Sequence, residues 1–282
     1  MPPPTVQVVV STYEQPRYLE LVLLALERQS CGSFGLIVAD DGSGAATRAV
    51  VERARARRDV VHVWQRNRGF RKCRSLNRAV AAATADYLVF LDGDSLPRLD
   101  WLARHVAAAA RGRYLAGRLV RLDRDLSGRL GPGEVGAGAF ERRAFLWREW
   151  RAGHLLQKPH YAFVPAALGA ALFRRDGGSW TGANCSAWRG DVLAVNGFDQ
   201  RLTYGWEDTD FGWRLGLAGV RRRSLRYAAV AFHLDHDRAW RDEAEIGRNR
   251  ALAEESLRQG AWRCYHGIDR LALEAEPEDR VD

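Results

Sequence analysis

Tyr87-Leu88-Val89-Phe90-Leu91-Asp92-Gly93-Asp94 is an apolar run that breaks onto two carboxylates separated by one glycine. The run reads as a strand buried on both faces, which belongs in a parallel sheet covered by helices. Gly93 leaves room for a bulky ligand to approach the backbone. Asp92 and Asp94 are hard oxygen ligands suited to Mg²⁺ or Mn²⁺ carrying a diphosphate. A surface turn uses the same residue types, so the surroundings of these eight residues must decide between the two readings.

Upstream, the chain alternates strand and helix. Val6-Gln7-Val8-Val9-Val10 reads as a strand, 16–29 as a helix, Leu36-Ile37-Val38-Ala39 as a strand, 45–58 as a helix and Val60–Trp64 as a short strand. A helix from about Arg71 to Ala83 then leads into 87–91. This βαβαβαβ rhythm predicts an α/β fold built on a mostly parallel sheet with helices on both faces. Ligands of such sheets bind beyond the carboxyl ends of the strands. Three polar clusters fall at those ends: Ser11-Thr12-Tyr13-Glu14, Asp40-Asp41-Gly42-Ser43 and Asp92-Gly93-Asp94.

Downstream the rhythm changes. Residues 98–111 read as an alanine-rich helix and 114–122 as a strand. Five glycines and a proline among residues 128–138 predict a loop or hinge. From 140 to 175, aromatic, aliphatic and basic residues alternate (Phe145, Trp147, Arg148, Trp150, Arg151, His154, Lys158, Tyr161, Phe163), as in an acceptor-side subdomain or an amphipathic segment at a membrane surface. Residues 274–282 read as a frayed acidic tail. We divide the chain into 1–122 and 123–282, two halves of one domain.

The net charge of +8 over 282 residues rests almost wholly on arginines spread along the chain, Lys72 and Lys158 being the only lysines. With no nucleic-acid-binding motif and no basic face, a nucleic-acid partner is not expected. Cys31, Cys73, Cys185 and Cys264 form no CxxC pair and read as reduced, mostly buried thiols. No basic stretch leads into an apolar one at the N-terminus, and the apolar runs at 19–26 and 161–172 fall short of a membrane span. The expectation is a cytoplasmic protein, with peripheral contact to the inner membrane face through 140–175 as the alternative to an acceptor-side role for that stretch.

Two later clusters carry chemistry. Gly205-Trp206-Glu207-Asp208-Thr209-Asp210-Phe211 has the look of a helix start. Its acids either cap the helix or, beside a flat indole, supply a general base for a sugar hydroxyl. Phe232-His233-Leu234-Asp235-His236 ends a basic, β-like segment and offers an imidazole to complete a divalent site with Asp92 and Asp94.

In this order the motifs resemble the family 2 glycosyltransferases, nucleotide-sugar-dependent enzymes of the GT-A fold, and in particular the branch with a galactosyltransferase-like C-terminal segment found in chondroitin-polymerase-type enzymes. The resemblance rests on residues 8–14, Val38-Ala39-Asp40-Asp41-Gly42-Ser43, residues 66–77, Phe90-Leu91-Asp92-Gly93-Asp94, residues 181–188, Gly197-Phe198-Asp199 and residues 205–211. It implies a Rossmann-like nucleotide half and a smaller acceptor-side subdomain. It places Ser11, Glu14, Asp41, Asn67, Arg71, Asp92 and Gly93 on the donor, with Asp41 accepting from the base. Asp94 and His233 would hold Mn²⁺ or Mg²⁺, with His236 the less favoured ligand. Asp208 would be the general base, Glu207 and Trp206 would hold the acceptor, and Asn184 would lie near the transferred sugar. A UDP-sugar is the favoured donor and a glycan or lipid-linked hydroxyl the acceptor. Glu14 stands where many relatives carry asparagine, and Arg71-Lys72-Cys73 is unusually basic for its position.

Leaving-group charge neutralised by a cation, together with a carboxylate base behind the anomeric carbon, implies inversion. The alternatives are a retaining transferase, because some polypeptide N-acetylgalactosaminyltransferases carry a similar Gly-Trp-Glu-Asp segment, and a non-catalytic nucleotide- or glycan-binding or membrane-surface module. A dinucleotide-binding oxidoreductase is disfavoured, because the turn at Gly42-Ser43-Gly44 has Thr47 in place of a third glycine and follows the second strand.

Overall fold

The computed structural model describes residues 4–157, 159–165, 167–169, 180–237 and 241–282; Lys158 and residues 170–175 of the aromatic-basic stretch lie outside them. The expected rhythm is present: β1 (Val6–Thr12), α1 (Pro16–Glu27), β2 (Gly35–Asp40), α2 (Ala45–Arg55), β3 (Val60–Trp64), α3 (Lys72–Ala82) and β4 (Tyr87–Asp92). β3, β2, β1 and β4 lie side by side and parallel. Alternate residues of each strand feed opposite layers. Val8, Val10, Val38 and Val89 pack with α1 and α2, while Val9, Ile37 and Phe90 pack with Leu76, Ala79 and Val80 of α3. Burial on both faces is why these strands are continuously apolar rather than alternating.

Beyond β4 come β5 (Ser95–Pro97), α4 (Trp101–Ala108), β6 (Arg113–Ala116) and β7 (Arg118–Leu122). The single strand expected over 114–122 is therefore two strands in different sheets, broken at Gly117. A Cβ at Gly117 would lie 2.4 Å from the Ala229 carbonyl oxygen, so the backbone crosses between sheets where no side chain fits. The glycine-rich stretch 128–138 is also not a plain loop. Short helices Arg124–Arg129 and Pro132–Gly136 occupy it, the second starting on a proline and on Glu134, which accepts from the Gly131 N–H at 3.0 Å. Helix Arg143–Arg151 and β8 (Leu155–Leu156) follow.

The chain then returns to the main sheet. β9 (Asn184–Trp188) inserts antiparallel between β4 and β6, and β10 (Arg221–Ser224) adds beyond β6. Sequence-distant halves thus share one eight-stranded sheet, ordered β10-β6-β9-β4-β1-β2-β3-β12. Its last member, β12 (Arg280–Val281), corrects the expectation of a frayed tail. It pairs antiparallel with β3, and Asp279 and Glu276 hold Arg74 and Arg71 at 2.7 and 2.6 Å. A second sheet, β5-β11-β7-β8, forms around β11 (Val230–His233). The architecture is the predicted mixed α/β fold with a large, mostly parallel sheet. Of the cysteines, Cys73, Cys185 and Cys264 are buried, Cys31 is partly buried, and all four are free thiols.

Candidate active site

Parallel strands aim their carboxyl ends at one rim, and the turns after β1, β2 and β4 meet there around a cavity of about 430 Å³. Ser11, Asp41 and Asp92 all line it, so the three polar clusters read from the sequence share one space. Gly93 sits where the β4 turn crosses the end of β1. Its N–H donates to the Ser11 carbonyl at 2.8 Å, and a Cβ there would approach that same oxygen to 2.9 Å.

On the side of β2, Asp41 is buried and held at both oxygens. The Arg71 backbone N–H donates to Oδ2 at 2.7 Å and the Gln65 amide to Oδ1 at 2.6 Å. Burial pushes its pKa up to about 6, against these hydrogen bonds. Its neighbour Asp40 has a structural task instead, accepting from the Gly42 and Ser43 N–H groups and lying 3.0 Å from His62 Nε2. Asn67 lines the cavity and donates to the Tyr13 hydroxyl at 2.8 Å. Two of the expected donor contacts point elsewhere. The Glu14 carboxylate turns away to accept from the Gly44 N–H at 2.9 Å, and the Arg71 guanidinium is engaged by Glu276 and the Arg66 carbonyl.

The β4 turn separates its two aspartates. Asp92 Oδ1 accepts from the Ser11 hydroxyl at 2.6 Å and from the Lys72 ammonium at 2.7 Å. Asp94 faces the second sheet, where the antiparallel register sets His233 opposite Ser95 and the Leu234 N–H donates to the Asp94 carbonyl at 2.8 Å. This brings His233 Nε2 to 3.6 Å and His236 Nε2 to 2.9 Å from Asp94 Oδ2. A continued strand would throw positions 233 and 236 onto opposite faces. β11 ends at His233, however, and the irregular backbone after it returns His236 to the aspartate.

The donor atoms of Asp94, His233 and His236 lie within 4.8 Å of one another. His236 Nδ1 is 2.7 Å from the Asp237 carbonyl, which only accepts, so Nδ1 carries a proton and Nε2 of the neutral ring presents a lone pair to Asp94. A lone pair and a carboxylate at 2.9 Å require positive charge on the ring or between the two groups. Burial opposes the Asp94 charge, yet His233 and His236 hold its pKa down to about 2. One carboxylate and two imidazoles, with one ring oriented by a carbonyl, make a donor set that fits a divalent cation.

Across the cavity, helix Glu207–Leu217 begins at Trp206, whose φ of 74° is left-handed. Helical spacing divides its acids. Asp210 turns inward to a buried ion pair with Arg214 at 2.8 Å, while Glu207 and Asp208 line the cavity. Asp208 Oδ2 accepts from the Gly182 N–H at 2.8 Å, and its Oδ1 is buried with no hydrogen-bond partner among the described residues. Burial raises the pKa of both residues, Glu207 to about 7 with further upward pressure from Asp208, and the Lys72 ammonium opposes both shifts. Lys72 itself is held charged against burial by Asp92, Asp208 and Glu207, so it joins the two sides of the site. Lys72 is not among the site residues that the resemblance implies. The signal was available: an isolated lysine in an arginine-rich chain, at the start of the helix before β4.

Asn184 is not where the resemblance implied. It is fully buried and does not line the cavity: Oδ1 accepts from Trp101 Nε1 at 2.8 Å and lies 3.0 Å from His105 Nε2, and Nδ2 donates to the Arg118 and Ala229 carbonyls at 3.0 Å. These contacts make it a joint between β9, α4 and the β6–β7 switch. Trp206 also stands outside the cavity lining, half-buried against Trp213 and beneath Arg250.

Residues 7–158 match the model of glycosyl transferase family 2. The chondroitin synthase of Escherichia coli is 24% identical over 246 residues, covering 80% of this chain and 34% of its own. A validoxylamine A glucosyltransferase of Streptomyces hygroscopicus subsp. limoneus is 33% identical over 109 residues, covering 38% of this chain and 24% of its own. The chain therefore spans about a third or less of these curated relatives. Among solved structures, S. aureus TarS superposes with a TM-score of 0.59 at 14% identity, covering 97% of this chain and 46% of that one. The mannosyltransferase PcManGT of Pyrobaculum calidifontis, solved with GDP-Man and Mn²⁺, gives 0.56 at 16%, covering 97% and 76%. These likenesses carry the GT-A fold, and with the matched motifs lying at the ends of β1, β2 and β4, the chain belongs to glycosyl transferase family 2.

Proposed function

We propose that the protein is an inverting, metal-assisted glycosyltransferase that moves a sugar from a nucleoside diphosphate, a UDP-sugar by preference, to a hydroxyl of a glycan or glycolipid. The observation that carries this is the pairing across one cavity of Asp94, His233 and His236 with the buried Glu207 and the partly buried Asp208. In this reading residues 1–122 supply most of the donor site and 123–282 most of the acceptor site.

Asp94, His233 and His236 would hold the cation, and the two imidazoles favour Mn²⁺ over the oxygen-preferring Mg²⁺. When bound, the cation supplies neutralising charge to the diphosphate leaving group. The remaining roles belong to side chains. Asp41 accepts from the base, with Asn67 at the edge of the same pocket and Ser11 orienting Asp92 toward the donor. Asp208, whose Oδ1 has no hydrogen-bond partner among the described residues, takes the proton of the attacking hydroxyl. The Lys72 ammonium opposes the upward shift that burial imposes on that carboxylate. Glu207 and the half-exposed Trp206 steer the acceptor into reach.

The proposal extends to place. Trp147 and Trp150, 51% and 41% exposed with ring centroids 4.9 Å apart, share a surface with Phe163 and the exposed Arg142, Arg143, Arg148 and Arg151. Indoles beside guanidinium groups suit the headgroup layer of an anionic bilayer, consistent with action at the cytoplasmic face of a membrane. No helix among the described residues is long and apolar enough to cross one.

The direct test is thermal unfolding with UDP, GDP, dTDP and CDP, each with and without Mn²⁺. A selective ligand at a hundredfold its Kd adds about 2.7 kcal/mol to stability. We expect a Mn²⁺-dependent rise with UDP that Asp94→Ala abolishes. No rise with any nucleotide would favour the non-catalytic module, and an unchanged Mn²⁺ effect in Asp94→Ala would remove the metal assignment.

A further inference from the structure

Asp41 is positioned by a network that ends in the acidic segment 274–282. The guanidinium of Arg74, 4% exposed, donates to the Gln65 side-chain oxygen at 2.9 Å, and the amide of that fully buried glutamine donates to Asp41 Oδ1 at 2.6 Å. The other end of Arg74 is gripped by Asp279 at 2.7 Å and by the Glu274 carbonyl at 2.8 Å. The second oxygen of Asp41 is set by the backbone N–H of Arg71, whose side chain is anchored by Glu276 at 2.6 Å. Pairing of β12 with β3, reinforced by Arg280 over the Trp64 ring at 4.3 Å, fastens the segment to the edge of the sheet.

Both oxygens of one cavity carboxylate are thus oriented by residues whose far ends are held by Glu276 and Asp279. We propose that these two acidic residues are positioning residues for recognition of the nucleotide base, acting through Arg71 and through Arg74–Gln65 on Asp41. The inference rests on the donor-site reading of Asp41 given above. Arg74 and Asp279 are largely shielded from water, with side chains 5% and 11% exposed, so their pairing holds geometry that a solvated pair would not. The same segment supplies a comparison: Arg66 and Glu278 pair through exposed side chains, 3.2 Å apart and 54% and 50% exposed, and neither lines the cavity.

The experiment compares Asp279→Asn, Glu276→Gln and Glu278→Gln in the full chain by calorimetric titration of UDP and of inorganic pyrophosphate, each with Mn²⁺. Pyrophosphate has no base to read. We expect Asp279→Asn and Glu276→Gln to weaken UDP by on the order of tenfold, the weight of one charge-assisted hydrogen bond, with pyrophosphate unchanged. Glu278→Gln should leave both ligands as in the wild type. Equal losses for UDP and pyrophosphate would show general loosening and overturn the proposal, as would unchanged UDP affinity in both folded variants. Should Asp279→Asn fail to fold, Glu276→Gln carries the same comparison. A wild-type chain that binds pyrophosphate but shows no preference for UDP would defeat the reading of Asp41 itself, and this inference with it.

Discussion

Asp208 shows how little separates a capping acid from a catalytic one. Asp210, two positions on, meets Arg214 and becomes structural, whereas Asp208 lines the cavity and keeps an oxygen without a partner among the described residues. Asp208→Asn preserves shape and removes the base, so transfer should fall on the order of 10²–10⁴-fold with donor affinity unchanged. Retained kcat would move the role to Glu207. On the metal side, the resemblance favoured His233, but His236 lies closer to Asp94 and has its ring oriented by a carbonyl. His233→Ala and His236→Ala should each weaken Mn²⁺ binding, measured by titrating the metal in the presence of UDP. An unaffected His236→Ala would return the site to Asp94 and His233 alone. Aspartate and histidine were legible in the sequence as candidate ligands. Their distances were not, because residues 142 positions apart meet only through the pairing of β5 with β11.

At the scale of elements, the strands and helices from β1 to β4 follow from local pattern, since the strands are largely apolar on both faces and each helix carries an apolar stripe. The pattern fails where chain segments trade partners. Residues 113–122 form one extended run, but Gly117 splits it between two sheets, and Asn184 closes the gap through Trp101, His105 and the carbonyls of Arg118 and Ala229. Asn184→Ala removes the partner of the Trp101 indole N–H and of His105 Nε2, at about 1–3 kcal/mol for each buried group left unpaired, a loss that urea unfolding would register. Destabilisation within experimental error would remove Asn184 from the joint.

His105 belongs to the same joint, and burial lowers its pKa from 6.5 to about 4. Between those values the unfolded chain binds a proton that the folded chain refuses, so this residue makes stability rise with pH from about 4 to 6.5, by about 3 kcal/mol at most. The slope of unfolding free energy across that window should be shallower in His105→Gln than in the wild type. Equal slopes would mean that His105 is not buried neutral.

For the whole molecule, the exposed tryptophans and arginines of 142–151 lie on a helix outside the central sheet. Co-sedimentation with phosphatidylglycerol vesicles at low salt, lost in about 0.5 M salt and reduced by Trp147→Ser with Trp150→Ser, is the expected result. Absence of binding at low salt would count against membrane contact. What the sequence by itself determined is the parallel α/β layer, the polar clusters at its strand ends and the family, because these depend on short-range apolar pattern and contiguous motifs. The tertiary structure alone decided that 274–282 closes on the sheet through the two-residue strand β12 rather than fraying, that Asn184 is a buried joint, and that Lys72 pairs with Asp92 at the cavity. Each of those outcomes depends on which distant charges and strand edges come to face one another, and no local pattern encodes that.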